Sequence, residues 1–140
     1  MLSKEQIMGI IPHRPPMLLV DEVELTEDGA VGTLQVTGEE FFFQGHFPGN
    51  PIMPAVFQLE ALAQVGAVAL LSIPEFVGKT AVYTGIDKAK FRAMVKPGDT
   101  LRMEIRFVKR RGPMAVAEGA VWVGDKKAAE AEIKCAVVMD

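Results

Sequence analysis

The chain has 140 residues, 49% apolar and 24% charged, which fits one folded domain over residues 1–140 and argues against disorder. With 15 basic and 18 acidic residues the net charge is −3, so the cationic excess that general nucleic-acid binding rests on is lacking. One cysteine, Cys135, excludes an intrachain disulfide framework, and with only two histidines a structural zinc site of Cys and His ligands is excluded as well.

In chain order, Ser3 to Gly9 reads as a short helix, with Ser3 as N-cap and Gln6 three residues on in a capping box. The N-terminal stretch has a short apolar run that Pro12 interrupts and no small-residue cleavage site, so a cytoplasmic protein is expected. Met17 to Leu25 and Ala30 to Thr37 read as strands, and Glu27-Asp28-Gly29 between them is a turn signal; together they predict a hairpin. Glu39 to Pro54 changes character. Prolines and glycines among large apolar residues make a rigid, irregular, apolar loop.

Pro54 suits the start of a helix, because its missing N–H is not needed in the first turn. From there to Leu71 nearly every position is apolar, although Gln58, Glu60 and Gln64 interrupt the run. The stretch is at the lower limit of a bilayer span, roughly 17–25 residues, and reads as a buried helix. A helix that is apolar all round must be surrounded. Ser72-Ile73-Pro74 ends it. Strands are expected from Lys79 to Asp87 continuing toward Met94, around Leu101 to Val108, from Met114 to Val123 and from Ala128 to Val138. Turns at Pro97-Gly98-Asp99, Gly112-Pro113 and Gly124-Asp125 separate them. The order is two strands, one long helix, then about four antiparallel strands. An α+β fold follows, a curved antiparallel sheet wrapped around the helix. One sheet cannot cover the whole helix, so a second copy of the chain is expected to help.

Few residues suit acid–base work near neutral pH. His46 stands in the rigid loop, and Glu60 is the only charged side chain of the helix. A carboxyl among apolar side chains is costly to ionise, so Glu60 is expected to stay protonated. The helix start offers free backbone N–H groups near Ala55 and Val56, where an oxyanion would be stabilised. A base, an acid and an oxyanion site suit removal of a proton next to a thioester or other carbonyl with loss of a β-hydroxyl. Gln64 lies one turn after Glu60 and can orient it or a water; a buried, satisfied amide is the equal alternative. His13 reads as a loop histidine bonded to backbone, Cys135 as strand packing, and Phe41-Phe42-Phe43 as core and interface. Phe91 could gate an acyl tunnel.

Nine of the 15 basic residues lie between Lys88 and Arg111, with only two acids, Asp99 and Glu104, among them and Asp87 just before them. Such a segment in an acidic protein suggests docking of an acidic partner, with Lys88, Lys90, Arg92 and Lys96 as the surface; a solvated strand face is the plainer alternative.

The block GHFPGNPIMPAVFQLEALAQ, with PHRPPMLLVDEV before it and GIDKAKFRAMVKPGD after it, closely resembles the FabZ family, the 3-hydroxyacyl-[acyl-carrier-protein] dehydratases of bacterial type II fatty acid synthesis. The resemblance runs from about Ile7 to the last strand. It implies the hot-dog fold, no metal or organic cofactor, and an acidic acyl carrier protein as partner. It implies His46 as base and Glu60 as acid, contributed by different subunits of a homodimer, with dimers that commonly assemble into hexamers. Two departures stand out: Ala55 replaces the family's usual Gly at the helix start, and His13-Arg14-Pro15-Pro16-Met17 replaces HRYPF. Glu at position 60 favours a plain dehydratase over the related dehydratase–isomerase, which carries Asp. A hot-dog thioesterase, a CoA-dependent hydratase and a non-catalytic acyl-binding module are the competing readings: His46 with its His-Phe-Pro block counts against the first, a preference for the nucleotide-bearing thioester would mark the second, and intact His46 and Glu60 count against the third.

Overall fold

The computed structural model describes residues 1–139. Helix α1 (Lys4–Met8) starts from Ser3, whose hydroxyl accepts from the Gln6 amide while the Gln6 side chain accepts from the Ser3 amide, as expected for a capping box. Strands β1 (Glu22–Leu25) and β2 (Gly29–Gln35) form the hairpin. Helix α2 (Ala55–Leu70) follows, then β3 (Thr80–Phe91), β4 (Thr100–Arg111), β5 (Met114–Val123) and β6 (Lys126–Val138). All six strands lie in one antiparallel sheet, ordered β1-β2-β4-β5-β6-β3.

The register explains how the sheet wraps α2. Ala30, Ile105, Gly119 and Ala131 form one row across β2, β4, β5 and β6, and Gly32, Met103, Val121 and Ala129 form the next. Each row mixes large with small residues, with small ones at both ends, so the inner face is uneven and the helix settles into it. Three glycines set how close it comes. A Cβ at Gly32 would stand 2.5 Å from Val65, one at Gly119 2.9 Å from Leu62, and one at Gly66 2.8 Å from Ile105. Leu59, Leu62, Val65, Val68 and Leu70 of α2 are buried in the same core as Met103, Val121 and Ile133 of the sheet.

Several boundaries differ from the sequence reading. Only Glu22–Leu25 of the expected strand Met17 to Leu25 is paired with β2. The backbone before it finds other partners: Met17 and Leu18 bond the Arg14 carbonyl, and the Gln64 side chain takes the Leu19 amide and the Met17 carbonyl. A helix side chain there replaces a sheet neighbour. Strand β2 stops at Gln35 because the Thr37 and Gly38 amides turn to the Glu40 carboxylate. Within the irregular loop, Phe41–Gln44 makes a turn of 3-10 helix that buries Phe42 and Phe43. Pro54 is the N-cap of α2, so the helix starts one residue later than expected, at Ala55, and Leu71 is its C-cap. Strand β6 begins two residues earlier than read, at Lys126.

Strand β3 is the exposed edge. It pairs with β6 on one side only, runs for 12 residues, and carries exposed Val82, Tyr83, Ile86 and Phe91. The other edge strand, β1, has four residues and is partly covered by a bridge from Leu2 to Val23. A long apolar edge is a template for pairing with another strand.

Candidate active site

Glu60 sits in the second turn of α2 and is not among the buried residues of that helix. Beside it is a cavity of about 240 Å³ between α2 and the sheet. Small helix residues (Ala63, Gly66 and Ala67) form one wall, and Ile105, Phe107, Ala117 and Ile133 the other. The polar groups of its lining are Glu60, Gln64, His13, Tyr83 and Cys135. An apolar pocket with a few convergent polar groups is the ordinary form of a small-molecule site.

The expectation that Glu60 is surrounded by apolar side chains alone needs correction. Its carboxyl is half-buried and has polar neighbours. Gln64 Nε2 donates to Glu60 Oε2 at 2.9 Å and to the Met17 carbonyl at 2.8 Å, while Gln64 Oε1 accepts from the Leu19 amide at 2.7 Å. Gln64 is therefore a buried, satisfied amide that also hydrogen-bonds Glu60. The Tyr83 hydroxyl donates to the Leu59 carbonyl at 3.3 Å, beside Glu60. Although part of the Tyr83 ring is exposed, burial around its hydroxyl first, and the Glu60 carboxylate second, push the ionisation of this hydroxyl well above that of a free tyrosine.

His13 also departs from its expected role. Among the described residues its ring bonds no backbone group; Nε2 stands 3.6 Å from Glu60 Oε2, and Nδ1 is buried with no hydrogen-bond partner. Arg14 does the backbone work instead, donating to the carbonyls of Met8, Ile11 and His13. Sequence reasoning missed His13 because its partner is 47 positions away and nothing local marks it. Cys135 lines the cavity opposite Tyr83 in the strand register, half-buried, and burial raises its thiol.

His46 lies elsewhere in the protomer. It is absent from the cavity lining, and its ring stacks on Phe47 with centroids 4.0 Å apart. Its Nδ1 is 2.8 Å from the Ile52 carbonyl. A carbonyl can only accept, so Nδ1 carries the proton and Nε2 keeps its lone pair, which is the form a general base needs. The loop is held by mutual amide–carbonyl bonds between Phe47 and Asn50 and by the Ile52 amide on the His46 carbonyl. Immediately after it, Met53 bonds Val95 and α2 begins. Pro54 offers no side-chain cap, and among the described residues the Ala55 and Val56 amides have no acceptor. Val56 is 66% exposed, so these N–H groups open onto the surface of the protomer.

The basic segment is less one-sided in space than along the chain. Arg92 pairs with Glu130, Arg106 with Glu118, Arg110 with Glu75 and Arg102 with Glu104. Lys127 and Arg92 together hold the Glu130 carboxyl down at about 2. Lys88, Lys90 and Lys96 are exposed and have no carboxylate partner within ion-pair distance among the described residues. Lys88 and Lys90 border a groove of about 730 Å³, which Glu104, Glu118, Glu130 and Glu132 also line. Among the described residues no helix is long and apolar enough to cross a membrane.

Comparison with known proteins agrees with this arrangement. A FabA-like domain matches residues 11–132. The 3-hydroxyacyl-[acyl-carrier-protein] dehydratase FabZ of Pelotomaculum thermopropionicum is 55% identical over 139 residues, covering 98% of this chain and 99% of that protein. The protein of the same name from Clostridium acetobutylicum is 54% identical over 139 residues, covering 98% and 99%. Among solved structures, the dehydratase heterocomplex ApeI:P from Xenorhabdus doucetiae superposes with a TM-score of 0.82 at 13% identity, covering 94% of this chain and 90% of that one, which shows a shared hot-dog fold. With the sheet, the helix and the motif block in agreement, the chain belongs to the FabZ family of 3-hydroxyacyl-[acyl-carrier-protein] dehydratases.

Proposed function

We propose that this protein removes water from a (3R)-3-hydroxyacyl group carried on an acyl carrier protein, giving the trans-2-enoyl product of fatty acid biosynthesis in the cytoplasm. The observation that carries the reading is the pair of half-sites. One is an imidazole with a free Nε2 at the surface beside an uncapped helix start; the other is a carboxyl at the edge of an apolar cavity.

The chemistry follows from the atoms. His46 Nε2 takes a proton from the carbon next to the thioester. The electron pair left behind forms the C=C bond as the β-carbon–oxygen bond breaks. The leaving oxygen takes the Glu60 proton and departs as water. Negative charge developing on the thioester oxygen meets the Ala55 and Val56 amides at the positive end of α2. Ala55 keeps the N–H of the family's usual glycine and adds a methyl beside it. The small-walled cavity next to Glu60 suits the acyl chain.

The two half-sites are joined by pairing protomers. The long exposed edge of β3 is the support for a homodimer in which β3 meets its copy about a twofold axis, so that His46 of one protomer serves Glu60 of the other. Lys88, Lys90, Arg92 and Lys96 serve as the docking surface for the acidic carrier. Arg92 is the weakest member, since Glu130 already engages it.

The test is incubation with 3-hydroxyacyl carrier protein, following loss of water and double-bond position by mass spectrometry. His46→Ala is expected to abolish turnover while the fold and the dimer persist. Normal turnover by that variant overturns the mechanism.

A further inference from the structure

The two oxygens of Glu60 are not equivalent, and with Glu60 as the acid, a role on which this inference rests, the difference decides where its proton sits. Gln64 Nε2 donates to Oε2 at 2.9 Å, and His13 Nε2 approaches the same oxygen to 3.6 Å. Neither group binds Oε1. An oxygen that receives N–H donors is poorly placed to carry a proton of its own, so the acid proton belongs on Oε1.

His13 fits this arrangement in its tautomer and in its support. Its Nδ1 is buried without a partner, while Nε2 faces a carboxyl oxygen, so the proton belongs on Nε2. Arg14 fixes the peptide that carries the ring, with Nη1 2.7 Å from the His13 carbonyl and 3.1 Å from that of Ile11, and Nη2 2.9 Å from that of Met8. The other groups near the carboxyl are Tyr83, whose hydroxyl donates to Leu59, and Cys135, whose thiol is raised by burial.

We propose that His13 is a positioning residue for the acid step: with Gln64 it engages Glu60 Oε2 and so presents the proton on Oε1 to the leaving hydroxyl. The distance of 3.6 Å exceeds a hydrogen bond; catalytic contacts are often this long without substrate and tighten when it binds.

The experiment compares kcat and KM for wild type, His13→Phe, His13→Gln, His13→Asn and Glu60→Gln, with thermal stability measured on each. The Gln amide reaches where Nε2 stands; the Asn amide stops short of it. His13→Phe and His13→Asn are expected to lower kcat about tenfold, the worth of one polar contact in the transition state, with KM within about twofold. His13→Gln is expected to stay within about threefold of wild type, by the same measure. Should His13→Phe fail to fold, the Gln and Asn pair still decides. Equal kcat for those two, or wild-type kcat in His13→Phe, overturns the proposal while leaving Glu60 as the acid. Full turnover by Glu60→Gln overturns the acid role and this proposal with it.

Discussion

Replacing Gln64 with leucine keeps the volume of a buried side chain and deletes three hydrogen bonds. The Leu19 amide, on a residue 1% exposed, then has no acceptor. Stranding a buried donor costs about 1–3 kcal/mol. The Met17 carbonyl also loses its donor, but Met17 is exposed and water can take the place, which adds at most about 1 kcal/mol. The sum is about 1–4 kcal/mol. For a chain of this size that corresponds to a fall in Tm of roughly 3–16 °C. The third bond held Glu60, so kcat is expected to drop by at least about tenfold. Denaturant unfolding at fixed protein concentration reads the first effect, and turnover of a carrier-bound substrate at permissive temperature reads the second. A variant within about 0.5 kcal/mol of wild type refutes the claim that Gln64 organises residues 17–19, since surface-like losses are of that size. Lost stability with unchanged kcat refutes its hold on Glu60.

Mixing His46→Ala and Glu60→Gln protomers tests the shared site. Randomly paired subunits are expected to recover about a quarter of wild-type turnover, because half the dimers are mixed and each holds one intact site; no recovery means that both groups act within one chain. Tyr83 is the only tyrosine, so phenolate absorbance reports it alone. Its folded value is raised, so its contribution to stability is full below the free-tyrosine value near 10 and is lost as pH climbs beyond it. The native protein is expected to be less than half phenolate at pH 10, and half-ionisation there counts against the packing described. Reversing the charges of Lys88, Lys90 and Lys96 is expected to raise KM for the carrier-bound substrate about fivefold at low salt while sparing a small thioester; an equal loss with both substrates removes the docking surface.

The parts of this protein that rest on local chemistry were legible along the chain. The Ser3 capping box, the hairpin turn at Gly29, the alternation of Leu101, Met103 and Ile105 and the all-apolar α2 each depend on neighbours a few residues away, so spacing alone reveals them. The candidate acid and base were legible for a related reason: a carboxylate in an apolar helix and a histidine in a proline-rich loop are conspicuous wherever the chain goes. What surrounds them was not. That His13 faces Glu60, that Gln64 caps the backbone of residues 17–19, and that Arg92, Arg106 and Arg110 are matched by distant glutamates are contacts closed only when the sheet curls around the helix. The glycines at positions 32, 66 and 119 look alike in sequence to any turn glycine. Only the packed structure gives their reason, which is the space a methyl would take from Val65, Ile105 and Leu62. Long-range contacts carry no signature in spacing, because the chain pays their entropy of closure at once, when the whole core forms.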